Sequence, residues 1–161
     1  MWADTELTRR FRLARPIVQG PFGGGLSTAK LTAAVSNAGS LGCFGANALA
    51  PEKIAMLVRE LRGMTGTRPF AITLWVDDPA AATPGAQAWA EAARLLAPLY
   101  RELGLPPPGD LPAQPAPDYR AQAEAALRAG TPVLSFVFGT PGAEIMTECR
   151  QRGVLTVGTA T

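Results

Sequence analysis

Short apolar runs alternate along this chain with stretches in which apolar residues recur every three or four positions. Residues 16–20 (PIVQG) read as a buried strand, and a glycine turn follows at Gly23, Gly24 and Gly25. Ser27 or Thr28 can cap the next helix, because a hydroxyl there accepts an orphan backbone N–H. Leu31, Ala34, Val35 and Ala38 fall on one face of that helix, and Gly39 stands where a left-handed residue would end it. The unit then repeats. Residues 41–46 (LGCFGA) form a second strand. Pro51 suits the first turn of a helix whose buried face is Ile54, Leu57, Val58 and Leu61, with Gly63 closing it. Residues 69–76 (PFAITLWV) form a third strand, continuously apolar as expected when both faces are covered.

Residues 77–118 break the rhythm. They are rich in alanine and proline, with Pro79, Pro84, Pro98 and a run from Pro106 to Pro117. Residues 86–103 are expected to form a helix burying Trp89, Ala93, Leu96, Leu99 and Tyr100, kinked or divided at Pro98. Residues 105–117 read as an irregular, semi-rigid excursion over the mouth of a site. Order returns at Asp118, a good N-cap for a helix over 119–129 that Gly130 ends. A fourth strand covers 132–139 (PVLSFVFG). Thr140 and Pro141 start a helix that buries Ile145 and Cys149 and stops at Gly153, and 154–161 (VLTVGTAT) form a fifth strand.

Strand–helix–strand repetition with short connections implies a parallel sheet with helices packed against it. A doubly wound open sheet and part of an eight-stranded barrel both fit. The last strand is apolar and has no helix after it, which favours the barrel. The expected fold class is therefore α/β, of the parallel (β/α) TIM-barrel type, truncated after about the fifth strand. Residues 1–161 form one partial barrel domain with a Pro/Ala-rich insertion at about 77–118.

Charge narrows the function. With 15 basic and 13 acidic residues the net charge is +2, which makes no electrostatic case for nucleic acid or an anionic membrane. Arg9, Arg10, Arg12 and Arg15 read as a solvated N-terminal segment, and Asp4 and Glu6 count against a mitochondrial presequence. No apolar run approaches the ~20 residues that span a bilayer. With no signal peptide in view, Cys43 and Cys149 read as buried thiols of a cytoplasmic protein. The chain has no histidine, so the commonest general base and metal ligand are both missing.

Candidate chemistry gathers at the strand ends, where parallel α/β proteins bind ligands. The segment from Gln19 through Gly20, Pro21 and Phe22 to Gly25 either makes a tight turn or brings bare backbone against a flat ligand. It carries neither a dinucleotide fingerprint nor a Walker lysine. Gly45 either lets the strand pack closely or leaves room for a cofactor ring. Thr73 and Ser135 are either satisfied buried hydroxyls or hydrogen-bonding partners of a ring edge. Thr159, beside Gly158, could line the same site. Cys43 reads as packing, since no histidine or lysine neighbours it.

Three segments, PIVQGPFGGGLSTAKLTAAVSNAGSLGCFGA, PEKIAMLVRELRGMTGTRPFAITLWV and PVLSFVFGTPGAEIMTECRQRGVLTVGTAT, resemble nitronate monooxygenases and the related flavin-dependent enoyl reductases. The resemblance covers most of the chain outside the proline-rich stretch. It implies an FMN-binding TIM barrel that oxidises alkyl nitronates with O2, and this chain would correspond to the N-terminal half. In such enzymes backbone after the first strand lies against the flavin, which maps onto Gly20, Pro21 and Phe22. A third-strand asparagine that contacts the ring maps onto Thr73, a departure. The family's phosphate-binding glycines and its Glu-Ala-Gly-Gly-His segment follow the fifth strand and have no counterpart here, so no catalytic residue and no metal ligand is assigned. An NAD(P)H-dependent enoyl reductase and a non-catalytic half-barrel that self-associates through an exposed edge are the alternatives.

Overall fold

In chain order the elements are α1 (Glu6–Phe11), α2 (Ala29–Asn37), β1 (Gly42–Gly45), α3 (Pro51–Thr65), β2 (Phe70–Trp75), α4 (Ala86–Glu102), α5 (Tyr119–Arg128), β3 (Val133–Val137), α6 (Ala143–Arg152) and β4 (Leu155–Gly158). The computed structural model describes residues 2–76, 85–110 and 118–159. By contact density it divides into two compact units, Met1–Asp78 with Pro117–Thr161, and Pro79–Ala116.

In the larger unit the strands form one parallel sheet in the order β1-β2-β3-β4. Each strand lies beside the next in sequence. A doubly wound sheet reverses its strand order at a switch point, whereas a barrel winds in one direction. The sequential order therefore selects the barrel type over the open sheet.

The expected first strand is reduced to a single parallel bridge, Val18 to Leu41. Ile17 and Val18 are exposed rather than buried. The backbone bonds Leu41 N–H to Ile17 O (3.0 Å) and Gln19 N–H to Leu41 O (2.9 Å) start a ladder that then stops.

Helix α2 also departs from its expected face. Thr28 is its N-cap, accepting from Leu31 N–H at 3.0 Å, and Gly39 follows its end at a φ of 87°. The buried residues are Thr32, Ala33 and Ser36, while Leu31 faces solvent. Size decides this over hydrophobicity. A Cβ on Gly42 would lie 2.0 Å from the carbonyl oxygen of Thr32 and 2.8 Å from Ser36 Oγ, so β1 admits only a helix face of small residues.

The other helices of this unit follow their patterns more closely. Pro51 opens α3, and Ile54, Leu57, Val58 and Leu61 are buried. The helix runs through Gly63 to end at Gly66, whose φ is 60°. Asp118 caps α5 by accepting from Arg120 and Ala121 N–H. Helix α6 begins after Gly142, without a side-chain cap, and buries Ile145 and Cys149 before Gly153. These helices cover one side of the sheet, where Ile72, Leu74 and Leu134 pack with Ile54, Val58, Ala123, Ala126 and Ile145.

The N-terminal segment covers part of the other side. Its four arginines are exposed, as expected, but Phe11 and Leu13 are buried against Leu41, Cys43, Ala71 and Val133. Each such apolar side chain stabilises the fold by about 1.5–3 kcal/mol. A capping box at Thr5 and Thr8 and the left-handed Arg12 fix this short helix at its two ends.

In the smaller unit α4 is continuous through Pro98, not divided by it, and none of its residues is buried. Trp89, Ala93 and Tyr100 are half-buried, and Leu96 and Leu99 are exposed. Within this unit the described partner of Trp89 is its own chain ahead, through indole N–H donation to Gly109 O at 2.8 Å. Residues 103–110 contain no helix or strand, and the rest of the proline-rich stretch, 111–117, lies outside the described residues, as do Ala160 and Thr161. No helix among the described residues is long and apolar enough to cross a membrane.

Candidate functional site

Strand register assembles the site. Gly45 on β1 lies opposite Thr73 on β2, Thr73 opposite Ser135 on β3, and Ser135 opposite Val157 on β4. Successive strand residues point to opposite faces, so Ile72 and Leu74 join the helices while Ala71, Thr73 and Trp75 face the other way. On that face the neighbouring row towards the strands' amino ends, Cys43, Ala71 and Val133, is the floor that Phe11 and Leu13 cover. The Gly45–Thr73–Ser135 row is the next layer above it, towards the carboxyl ends.

Thr73 and Ser135 are both buried. Among the described residues Thr73 Oγ1 has no hydrogen-bond partner, although a buried hydroxyl left unsatisfied costs about 1–3 kcal/mol. The segment after Val18 closes over the β1 end of the row. A Cβ on Gly45 would lie 2.8 Å from the carbonyl oxygen of Phe22 and 3.2 Å from Gly23 N, so glycine is what permits this approach. Phe22 N–H donates to Ser27 Oγ at 2.8 Å. Ser27, one of two candidate helix caps, thus braces this loop while Thr28 caps the helix. Gly20, Pro21 and Phe22 are exposed, and among the described residues a Cβ on Gly20 would meet nothing within 4 Å. Gly24 and Gly25, at φ of 66° and 85°, turn the chain back into α2. Thr159 is exposed just past β4, donating its N–H to Phe136 O at 3.1 Å. The structure therefore unites Gly45, Thr73 and Ser135 in one row with Phe22 above Gly45, and sets Thr159 beyond the row at the far edge of the sheet.

Two aromatic rings stand at the carboxyl end of the central strands. Trp75 and Phe138 are 49% and 72% exposed, and their rings meet edge-to-face at 5.2 Å. Phe138 adopts a φ of 69°, a conformation non-glycine residues rarely occupy and one that concentrates at functional sites.

Two glutamine side chains have roles the sequence did not assign, although Gln19 opens the candidate glycine segment. Gln19 accepts from Cys43 N–H on β1 and donates to Gly20 O. Gln122, buried on α5, donates to Asn47 O at 2.9 Å and Leu49 O at 2.7 Å, holding the loop that follows β1. A polar residue on the otherwise apolar face of Tyr119, Ala123 and Ala126 was the signal available for it. Cys43 is buried in the floor, and loss of hydration pushes its thiol up to about 12, which leaves no thiolate for nucleophilic chemistry. A groove of about 280 Å3 between α3 and α5, lined by Glu52, Arg59 and Arg128 among others, lies on the helical side and away from this row.

A singly wound parallel sheet, helices on one side and a buried polar row at the carboxyl ends of its strands define a segment of a (β/α) barrel seen at its ligand end. The nitronate monooxygenase family model matches residues 5–161, and the chain belongs to that family. A probable nitronate monooxygenase from Staphylococcus haemolyticus is 29% identical over 100% of this chain and 44% of its own length. The nitroalkane oxidase from Streptomyces ansochromogenes superposes with a TM-score of 0.75 at 34% identity, over 98% of this chain and 43% of that one. FabK from Thermotoga maritima superposes with a TM-score of 0.67 at 21% identity, a likeness of fold alone. The chain thus spans under half the length of these relatives.

Proposed function

We propose that this chain supplies the ring-side wall of an FMN site in an oxidoreductase that oxidises alkyl nitronates with O2. The observation that carries the reading is Thr73 Oγ1, buried and without a partner among the described residues, in the row between Gly45 and Ser135. A hydrogen-bonding ring edge would satisfy it. The open space beside Gly20 and the bare backbone from Gly20 to Phe22 fit a flat group lying against them. FMN, when bound, supplies the redox chemistry, taking electrons from the nitronate and passing them to O2.

The residues of this chain have the supporting tasks. Gly20, Pro21 and Phe22 offer backbone to one face of the ring. Thr73 and Ser135 offer hydroxyls to its edge, with Thr159 further out. Phe11 and Leu13 seal the floor beneath the row and keep water from entering there. The exposed rings of Trp75 and Phe138 provide an apolar wall suited to the alkyl part of the substrate. In barrels the phosphate site commonly follows strands seven and eight, so this portion is assigned the ring and not the phosphate. Among the described residues β4 pairs on one side only, and that open edge supports self-association of the isolated chain.

Visible absorbance after desalting tests the cofactor, and O2 uptake with alkyl nitronates tests the reaction. The flavin-loaded protein is expected to consume O2 with nitronates and not to oxidise NAD(P)H, whereas nicotinamide oxidation would favour the enoyl reductase alternative. The 161-residue chain alone should lose FMN on desalting, and stoichiometric retention would contradict the assignment of the phosphate to another part of the barrel.

A further inference from the structure

In a parallel ladder the donors and acceptors of one strand alternate regularly along its neighbour. Leu41 N–H donates to Ile17 O, and Gln19 N–H donates to Leu41 O. The next rung would run from Cys43 N–H to the backbone carbonyl of Gln19. Cys43 N–H instead donates to the side-chain Oε1 of Gln19 at 3.2 Å, and the Nε2 of the same amide donates to Gly20 O at 2.6 Å. The amide's orientation is settled by its partners, since a backbone N–H needs the oxygen and a carbonyl needs the nitrogen.

We infer that Gln19 is a positioning residue: its side chain replaces one rung of the sheet, releases the main chain from the strand, and sets where the Gly20–Phe22 segment stands over Gly45. Two consequences follow from the geometry. Without a side-chain acceptor, Cys43 N–H at the start of the site would lose its partner. Without the Nε2 donor, Gly20 would lose its tie to β1, and the Phe22 backbone would lose its registration on Gly45 and Ser27. A shorter amide or a pure acceptor cannot perform both tasks. The inference rests on the flavin reading for what the segment faces, but the clip itself stands on the hydrogen bonds alone.

Gln19→Glu and Gln19→Met separate the two tasks at neutral pH. The glutamate keeps an acceptor for Cys43 and loses the donor to Gly20, and the methionine loses both. Amide hydrogen exchange at Cys43 and Phe22 and fluorescence titration of the flavin-binding protein with FMN are the readouts. Cys43 is expected to stay protected in the glutamate variant and to exchange about tenfold faster in the methionine variant. Phe22 should lose protection in both, and both should bind FMN about tenfold more weakly with an altered visible spectrum. Native FMN affinity and spectrum in either variant would overturn the positioning role. If the wild-type protein takes up no FMN in the titration, which reads weak binding that desalting strips, the flavin reading fails by itself, and Phe22 exchange then decides the clip: unchanged protection in both variants overturns it, and loss in both upholds it.

Discussion

The side-chain amide of Gln122 donates to the carbonyl of Leu49 at 2.7 Å, joining helix α5 to a loop 73 residues earlier in the chain. The same nitrogen reaches Asn47 O at 2.9 Å. This loop leads away from the ligand end of β1, so a buried side chain on the helical side holds a segment bordering the site. Gln122→Leu keeps much of the volume and removes the donor. It is expected to destabilise the protein by about 1–3 kcal/mol, the cost of carbonyls left unpaired, measured by urea unfolding.

Gly45 and Gly20 are expected to behave oppositely on substitution. A Cβ on Gly45 meets the backbone of Phe22 at 2.8 Å, so Gly45→Ala must displace that segment. Overpacking of this kind costs about 1–3 kcal/mol. Gly20→Val enters open space and should change stability by no more than about 0.5 kcal/mol, yet it should abolish flavin binding by intruding on the ring. Equilibrium unfolding paired with FMN titration checks both. A Gly20→Val protein that binds FMN normally would remove this segment from the cofactor wall.

Thr73→Val tests the orphan hydroxyl. Replacing an unsatisfied buried O–H with a methyl group should leave the flavin-free protein as stable as the wild type or more stable, by up to about 2 kcal/mol. FMN affinity should fall roughly fivefold, the worth of about one hydrogen bond. Unchanged affinity would mean that Thr73 does not contact the ring.

Burial raises the Cys43 thiol from 9.0 to about 12, which favours its neutral form in the folded state. The stabilisation is complete below the unfolded value, near pH 9, and is lost as pH rises from there towards 12. Stability should therefore decline over that alkaline window, and Cys43→Ala should remove part of the decline. The native protein should resist iodoacetamide at pH 8, as read by mass spectrometry, and rapid single alkylation at Cys43 would show that it is less enclosed than the packing indicates.

Legibility in the sequence tracked the physics of each element. Helix α3 was readable because large apolar residues recur at helical spacing and meet an ordinary sheet face, and α5 because Asp118 and Gly130 mark its two ends. Helix α2 was readable from Thr28 and Gly39, but its buried face was not, because Gly42 brings the strand so close that Thr32, Ala33 and Ser36 fit and Leu31 does not. The first strand was over-read for a related reason: a side-chain amide takes over the ladder at Cys43, and no apolar pattern encodes that exchange. The helix in the proline-rich stretch had the right length, but its spacing could not say whether any surface would cover it. At the site, Gly45, Thr73 and Ser135 were visible as small or polar residues interrupting apolar strands. Their alignment needed the register, which depends on pairings between distant segments.

The smaller unit, Pro79–Ala116, bears on how the sheet closes. Partners on β1 and β2 are 28 residues apart in sequence, as in Gly42 with Phe70, and those on β3 and β4 are 22 apart, as in Val133 with Leu155. Ala71 and Val133, which join β2 to β3, are 62 apart. Loop-closure entropy grows only logarithmically, at about 0.6 kcal/mol per doubling, so the longer excursion costs the finished sheet roughly 1 kcal/mol. Its larger effect is on the order of assembly. The two outer pairings can form from nearby chain, while the central seam waits for a distant encounter and becomes the natural rate-limiting junction of folding. Shortening this unit should therefore speed folding more than it stabilises the native state.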